Sequence, residues 1–202
     1  MILVGLTGSI GSGKTTVCHI FEQLRIPVYY ADMKGKSFLN KPLVKDKIAG
    51  LFGRQVFNEK GEPDRAALAA LVFGDEKKLE LLNTIIHPLV REDFRSWVSL
   101  QKDAPYVIQE AAILFETGHA DHFDKIIAVT APEELRIRRV CERDGVDEAH
   151  VRKRATHQLP DEFKTKHADY VILNDGNEPL LPKVLSIHEE LTSPRKNDQN
   201  SL

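Results

Sequence analysis

Gly8-Ser9-Ile10-Gly11-Ser12-Gly13-Lys14-Thr15 satisfies G-x-x-x-x-G-K-[ST] at every position. A short apolar run, Ile2-Leu3-Val4-Gly5-Leu6, precedes it and reads as a buried strand. Residues 14–24 follow with helical spacing, placing Val17, Ile20, Phe21 and Leu24 on one face. Strand, glycine-rich turn, helix is the context in which such a turn cradles phosphate. Glycines allow backbone N–H groups to point inward and approach phosphate oxygens closely. The helix that starts there turns its positive dipole end toward the same anion. Gly8, Gly11, Ser12 and Gly13 are therefore the expected phosphate contacts. Lys14 is placed to bridge the terminal phosphates, the Thr15 hydroxyl to join a Mg²⁺ ion, and Thr16 to reach the α-phosphate. The competing reading is a plain turn before a helix with a solvated lysine; the flanking elements argue against it.

The rest of the chain extends this start into an α/β fold. Residues 27–30 read as a second short strand, so the first 32 residues form a βαβ unit and imply a parallel sheet covered by helices. Residues 33–102 are helical in pattern and contain no clear strand. Leu79, Leu82 and Ile86 form a stripe that Leu81 and Ile85 widen, and Pro88 is expected to kink or end a helix near His87. Residues 106–108, 125–129 and 170–173 read as strands, and 132–143, 147–157 and 180–191 as helices. The expected architecture is a P-loop kinase-type parallel sheet flanked by helices, with a helical acceptor-binding insertion and a helical lid. Its core comprises residues 1–33, 103–131 and 166–191, the insertion 34–102 and the lid 132–165. The polar tail 192–202 is expected to be disordered.

Acidic and basic residues then supply candidates for chemistry. Asp32 closes the second strand-like run, and ligands of parallel sheets sit beyond the carboxyl ends of strands. Two roles are open to it: holding Mg²⁺ through water, or orienting and deprotonating an acceptor hydroxyl. A third reading makes it a helix N-cap. Glu110 ends the next strand, and either it or Glu116 is the second acidic partner for magnesium; Glu116 also reads as a solvated helix residue. Arg136, Arg139 and Arg143 share one helical face. Beyond Gly145 come Arg152, Lys153, Arg154 and Gln158. These pieces suit a lid that brings guanidinium groups onto a transferring phosphate and keeps water out. They suit equally a solvated helix pair with Glu142, Asp144 and Asp147 as ion partners. Residues 34–47 carry five lysines against Asp46 alone. That run fits a polyanionic acceptor or a solvated face.

Composition narrows the classes. With 202 residues and 42% hydrophobic content, the chain holds one domain, with or without insertions, and enough apolar material for a core. A net charge of −2 argues against a nucleic-acid binder. Two cysteines, Cys18 and Cys141, offer neither metal-ligand spacing nor a disulfide framework. No apolar run approaches a membrane span and no signal peptide opens the chain, so no membrane association and a cytoplasmic location are expected. A regulatory GTPase needs an Asn-Lys-x-Asp element, which does not occur. A small kinase fits best, with a nucleoside or nucleotide kinase and a nucleotide-dependent binding protein as alternatives.

More specifically, the sequence resembles the dephospho-coenzyme A kinase family over about residues 2–190. The resemblance rests on the loop from Gly5 to Thr16, on Ala31-Asp32, and on a spaced pattern in the insertion. That pattern runs through Phe52-Gly53, Gly61, Asp64-Arg65, Leu68-Ala69, Val72-Phe73, Leu82, Ile85 and His87-Pro88. Ile113-Leu114-Phe115-Glu116, Arg139, Arg143, Arg154, Gln158, Ala168-Asp169 and Asn174-Asp175-Gly176 continue it. One departure is Ala112, where the family commonly has proline. The resemblance implies phosphorylation of the ribose 3′-hydroxyl of dephospho-coenzyme A by ATP with Mg²⁺. It implies Lys14, Asp32, Arg139 and Arg143 as catalytic, and Asn174 near the adenine. It implies Arg65, His87 and Glu116, with Asp32, as the acceptor grip, and Thr15 and Glu110 on the metal.

Overall fold

The fold is that of a computed structural model, which describes residues 1–72 and 74–193. It opens with β1 (Ile2–Thr7), α1 (Lys14–Gln23) and β2 (Val28–Tyr30). Helices α2 (Ala31–Phe38), α3 (Pro42–Phe52), α4 (Arg65–Val72) and α5 (Glu76–Ser99) follow. The chain then continues through β3 (Tyr106–Glu110), β4 (Lys125–Thr130), α6 (Glu133–Asp144), α7 (Glu148–Ala155), α8 (Asp161–His167), β5 (Tyr170–Leu173) and α9 (Leu180–Thr192). Among the described residues, 1–29 with 101–193 form one compact unit and those within 30–100 the other.

In the first unit the sheet runs β2-β3-β1-β4-β5. β1 lies parallel to both β3 and β4, with Leu6 opposite Glu110 on one side and Ile127 on the other. A strand with neighbours on both edges and helices on both faces must be apolar throughout. Val4 and Leu6 are accordingly fully buried, as are Val107, Ile108 and Ile127. α1 buries Val17, Cys18 and Phe21, and α9 buries Val184, Ile187 and Leu191. Phe21 meets Tyr106 edge-on, with ring centroids 6.3 Å apart. The Tyr106 hydroxyl in turn lies 2.8 Å from His188 Nδ1, tying α9 to β3. A satellite core of Ile137, Val140 and Val151 joins α6 to α7, and Ile10 from the glycine-rich turn packs against it.

In the second unit α5 is the spine against which α2, α3 and α4 pack. Ile85, Ile86, Val90 and Phe94 form its buried face. Pro88 does not end a helix near His87, the second of the two outcomes expected from sequence, because α5 runs on to Ser99. It sits on the exposed side, and the apolar stripe continues through both flanking turns, so packing outweighs one missing backbone bond. Leu81 does not widen that stripe; it is 43% exposed. Asp64 accepts from the backbone N–H groups of Ala66 and Ala67 and so caps the start of α4.

Three further readings are revised. β2 stops at Tyr30, and Asp32 lies in the first turn of α2. The N-cap there is Tyr30, so Asp32 is no cap, although its charge suits the positive helix end. α8 was not foreseen, yet Pro160 followed by Asp161 and Glu162, with Lys164, Lys166 and His167 in the last turn, is a helix signature. The presumed tail begins later than expected, since Thr192 still belongs to α9. Residues 194–202, like Phe73 of the insertion pattern, lie outside the described residues. Among the described residues no helix is long and apolar enough to cross a membrane. Phe21→Ala empties the space between α1 and Tyr106 and is expected to lower stability by about 3–5 kcal/mol, read from urea unfolding followed by circular dichroism.

Candidate active site

The turn between β1 and α1 keeps backbone conformations that only glycine adopts freely. Gly11 has φ of 80°, and a methyl group there would lie 2.3 Å from the Arg136 carbonyl oxygen on α6. Gly13 has φ of 93°, and its methyl would lie 2.0 Å from Asn174 Nδ2. Both positions therefore require glycine for two independent reasons, conformation and close approach. Lys14, the first residue of α1, turns back so that Nζ donates to the Gly8 carbonyl at 2.8 Å. The same Nζ stands 4.0 Å from Glu110 Oε1, and both side chains are largely buried. The Ser12 hydroxyl is buried and has no hydrogen-bond partner among the described residues. Backbone donors, a folded-back lysine and an unspent hydroxyl at a helix start make an anion receptor.

Asn174, just past β5, anchors this turn. Its Nδ2 donates to the Ser12 carbonyl at 2.9 Å, and its own N–H donates to Thr130 O at 2.8 Å. Arg139 Nη1 donates to the Asn174 carbonyl at 3.0 Å. The structure thus brings Gly8, Gly11, Ser12, Gly13, Lys14, Glu110, Arg139 and Asn174 into one group. Thr15 and Thr16, the next residues of α1, are exposed. Arg143 is not part of the group: its guanidinium grips Asp144, donating at 2.7 and 3.0 Å. Arg154 donates to the same carboxylate at 2.9 Å. Chiefly through Arg143, the pair pushes the Asp144 carboxyl down to about 2. Arg152 binds Glu133, Glu134 and Glu148, so much of the charge on α7 serves to join α7 to α6.

Glu116 is neither solvated nor helical. Its Oε1 accepts from the Leu159 N–H at 2.8 Å and from Lys164 Nζ at 2.9 Å. Lys164 is 1% exposed and also donates to the Ala112 carbonyl. This buried pair escaped sequence reasoning, because α8 did. Asp161, on the same short helix, escaped for the same reason; it accepts from Ser9 Oγ and, at 2.6 Å, from Thr130 Oγ1. In the second unit Asp32 is exposed, and its charge is felt by His87 on α5. Burial holds the His87 imidazole below its ordinary range; the Arg91 cation adds to this and Asp32 opposes it. Lys34 reaches Asp93 at 3.5 Å, and Arg65 is exposed as the first residue of α4. The lysine run is largely solvent-facing, with only Lys45 half-buried, and Lys41 lies over the Phe38 ring.

The family model for dephospho-CoA kinase matches residues 2–179. The chain belongs to the dephospho-CoA kinase family. A dephospho-CoA kinase of Bacteroides fragilis is 38% identical over 187 residues, covering 92% of this chain and 91% of that one. The crystal structure of TT1252 from Thermus thermophilus superposes with a TM-score of 0.84 at 35% identity, covering 95% and 98% of the two chains. Dephospho-CoA kinase from Campylobacter jejuni shares the fold, with a TM-score of 0.68 at 22% identity over 94% and 96%. Family membership makes the chain a kinase, a phosphotransferase acting on an alcohol group, and agrees with the P-loop kinase-type sheet.

Two outcomes follow from this geometry. Gly11→Ala forces a left-handed alanine against the α6 backbone, adding about 1–2 kcal/mol of conformational strain before the clash. It should leave the chain folded and weaken Mg-ADP binding at least about tenfold, measured by calorimetry. His87, depressed in the folded chain, takes up protons more readily when unfolded. Its contribution is therefore full above the unfolded value near 6.5 and is lost as pH falls toward the folded value. The urea midpoint should drop less between pH 7.5 and 5.5 in His87→Gln than in the unaltered chain.

Proposed function

We infer that the chain transfers the γ-phosphoryl group of ATP to the ribose 3′-hydroxyl of dephospho-CoA, giving ADP and CoA, the last step of coenzyme A synthesis. The observation that carries this is the family match over residues 2–179, with the glycine turn and Lys14 intact within it. In this reading the N–H groups of Gly8, Gly11 and Gly13, the Ser12 hydroxyl and Lys14 Nζ hold the phosphates. Transfer proceeds through a loose transition state whose charge spreads over the moving group, so stabilisation falls to fixed donors. Lys14 is one such donor. Arg139 is another, steadied by Asn174. Arg143 acts only after exchanging Asp144 for phosphate.

Asp32 orients the 3′-hydroxyl and receives its proton as the bond forms. Being exposed at the start of α2, it has the freedom to meet an acceptor. His87 and Arg65, from the same unit, complete the acceptor grip. Glu116 enters this grip only through Oε2, since its other oxygen is engaged by Lys164 and Leu159. Magnesium fits the donors present. Among the described residues no cluster of three ligating side chains exists, and a cation held by one hydroxyl, one carboxylate and substrate phosphates needs none. Thr15 and Glu110 are those two protein ligands, and the ion supplies charge neutralisation on the phosphates when bound. The cytoplasm, where free thiols such as Cys18 and Cys141 persist, is the setting we propose.

Mass spectrometry of reactions with Mg-ATP and separately dephospho-CoA, adenosine, AMP or CMP tests the reading. A single added phosphoryl group on dephospho-CoA alone is expected; transfer to a nucleoside or nucleotide instead would overturn the acceptor. Lys14→Ala should lose about 10²–10³ in kcat, as for removal of one transition-state donor. Asp32→Asn should lose about 10²–10⁴. Turnover retained in Asp32→Asn removes Asp32 from its role.

A further inference from the structure

The turn spends the Ser12 N–H on the Ser9 carbonyl at 3.1 Å, but N–H groups that are to receive phosphate cannot be spent this way, so contacts from outside must hold the rest of the turn in shape. On one flank Asn174 does this for Ser12. On the other flank stands Asp161, outside the motif and some 150 residues away. One carboxylate oxygen accepts from Ser9 Oγ, and the other accepts from Thr130 Oγ1 at 2.6 Å. Arg136 Nε lies 3.8 Å from the second oxygen, and both side chains are mostly buried. The same segment sends Gln158 Oε1 to the Ile10 N–H at 2.8 Å. Ser9 and Ile10, the stretch between Gly8 and Gly11, are thus held by two residues of segment 158–161.

We propose that Asp161 is a positioning residue: it fixes the Gly8–Gly11 arc against the end of β4, so that the turn is shaped before nucleotide arrives. This rests on the reading that the turn holds ATP. The chemistry favours a carboxylate. Two hydroxyl donors and a guanidinium converge on it, and hydrogen bonds to an ionised acceptor are about twice as strong as neutral ones. Each oxygen serves a different element, so one side chain cross-links the turn to the sheet. A first-turn acid suits the start of α8, but that role does not call for the contacts with Ser9 and Thr130. A negative charge one bond from a phosphate-binding turn repels the ligand, and electrostatics alone predicts that neutralising it tightens binding. Positioning predicts the opposite sign.

That difference in sign is the test. Mg-ADP affinity is measured by calorimetry for the unaltered chain, Asp161→Ala, Asp161→Asn, Ser9→Ala and the Ser9→Ala/Asp161→Ala double variant, with KM for ATP and kcat alongside. Asp161→Ala should weaken ADP binding about tenfold and raise KM by the same factor, with kcat at saturating ATP within about twofold. Asp161→Asn should recover part of the loss, because its amide donates to one hydroxyl oxygen while its carbonyl accepts from the other. In the double variant the two losses should not add. Ser9→Ala probes the contact from the turn itself and retains the test where Asp161→Ala does not fold.

Equal or tighter binding in Asp161→Ala and Ser9→Ala overturns the proposal. So does a fall in kcat with unchanged KM. An unaltered chain that binds ADP but leaves dephospho-CoA unphosphorylated would overturn the acceptor reading and leave this one standing. Failure of the unaltered chain to bind ADP would overturn both.

Discussion

A turn that receives an anion through its backbone must keep its remaining donors free once those of Ile10 and Ser12 are given to Gln158 and Ser9. That constraint shapes everything around the turn between β1 and α1. Glycine at positions 11 and 13 lets the peptide planes face inward, and removes the side chains that would separate the turn from α6 and Asn174. The same freedom makes the turn soft, since glycine loses the most entropy on ordering. Rigidity has to come from outside: from Asn174 beyond β5, from Gln158 and Asp161 around α8, and from Ile10 lodged in the small core of α6 and α7. The elements that follow β4 therefore hold the turn as much as its own sequence does.

Charge is arranged on the same logic. Lys14 at the start of α1 and Glu110 at the end of β3 are nearly buried side by side, so each offsets the cost of burying the other. Lys164 and Glu116 do the same beneath the following loop. On α6 and α7 the arginines differ in what they are tied to. Arg139 donates to the carbonyl and the neutral side-chain amide of Asn174 rather than to a carboxylate. Arg143 and Arg154 share the carboxylate of Asp144, which stands where an anion would otherwise draw them. Arg152 is fully committed to three glutamates.

Local signals carried far in this sequence where one element was enough to define a feature. The strand-turn-helix around the motif, the buried runs at β3 and β4 and the stop at Gly145 are all legible, because period, glycine and burial coincide there. Legibility fails where a distant partner decides. Pro88 reads as a stop, yet Ile85, Ile86, Val90 and Phe94 bury one face straight past it. Asp32 reads as a strand end, and three residues of β2 were too few to fix that boundary. Glu116 reads as solvated until Lys164 is found beneath it, and Lys164 sits on a helix of seven residues with almost no apolar stripe. The Asp161 contacts join positions 9, 130 and 161, and no spacing rule links those.

The order of strands in the sheet has a consequence for how the molecule is made. β1 is the central strand and the first to be synthesised, yet its partners β3 and β4 begin more than a hundred residues later. At about 5–20 residues per second, the ribosome takes about 5–20 s to supply them. Residues 30–100 are all synthesised before β1 can pair with β3 or β4, and their helices pair over shorter separations than β1 does with those strands. During that interval β1 is an apolar strand with two unpaired edges, bearing the phosphate turn at its end. By this order of synthesis β5, which brings Asn174 to the turn, is the last strand of the sheet to be made.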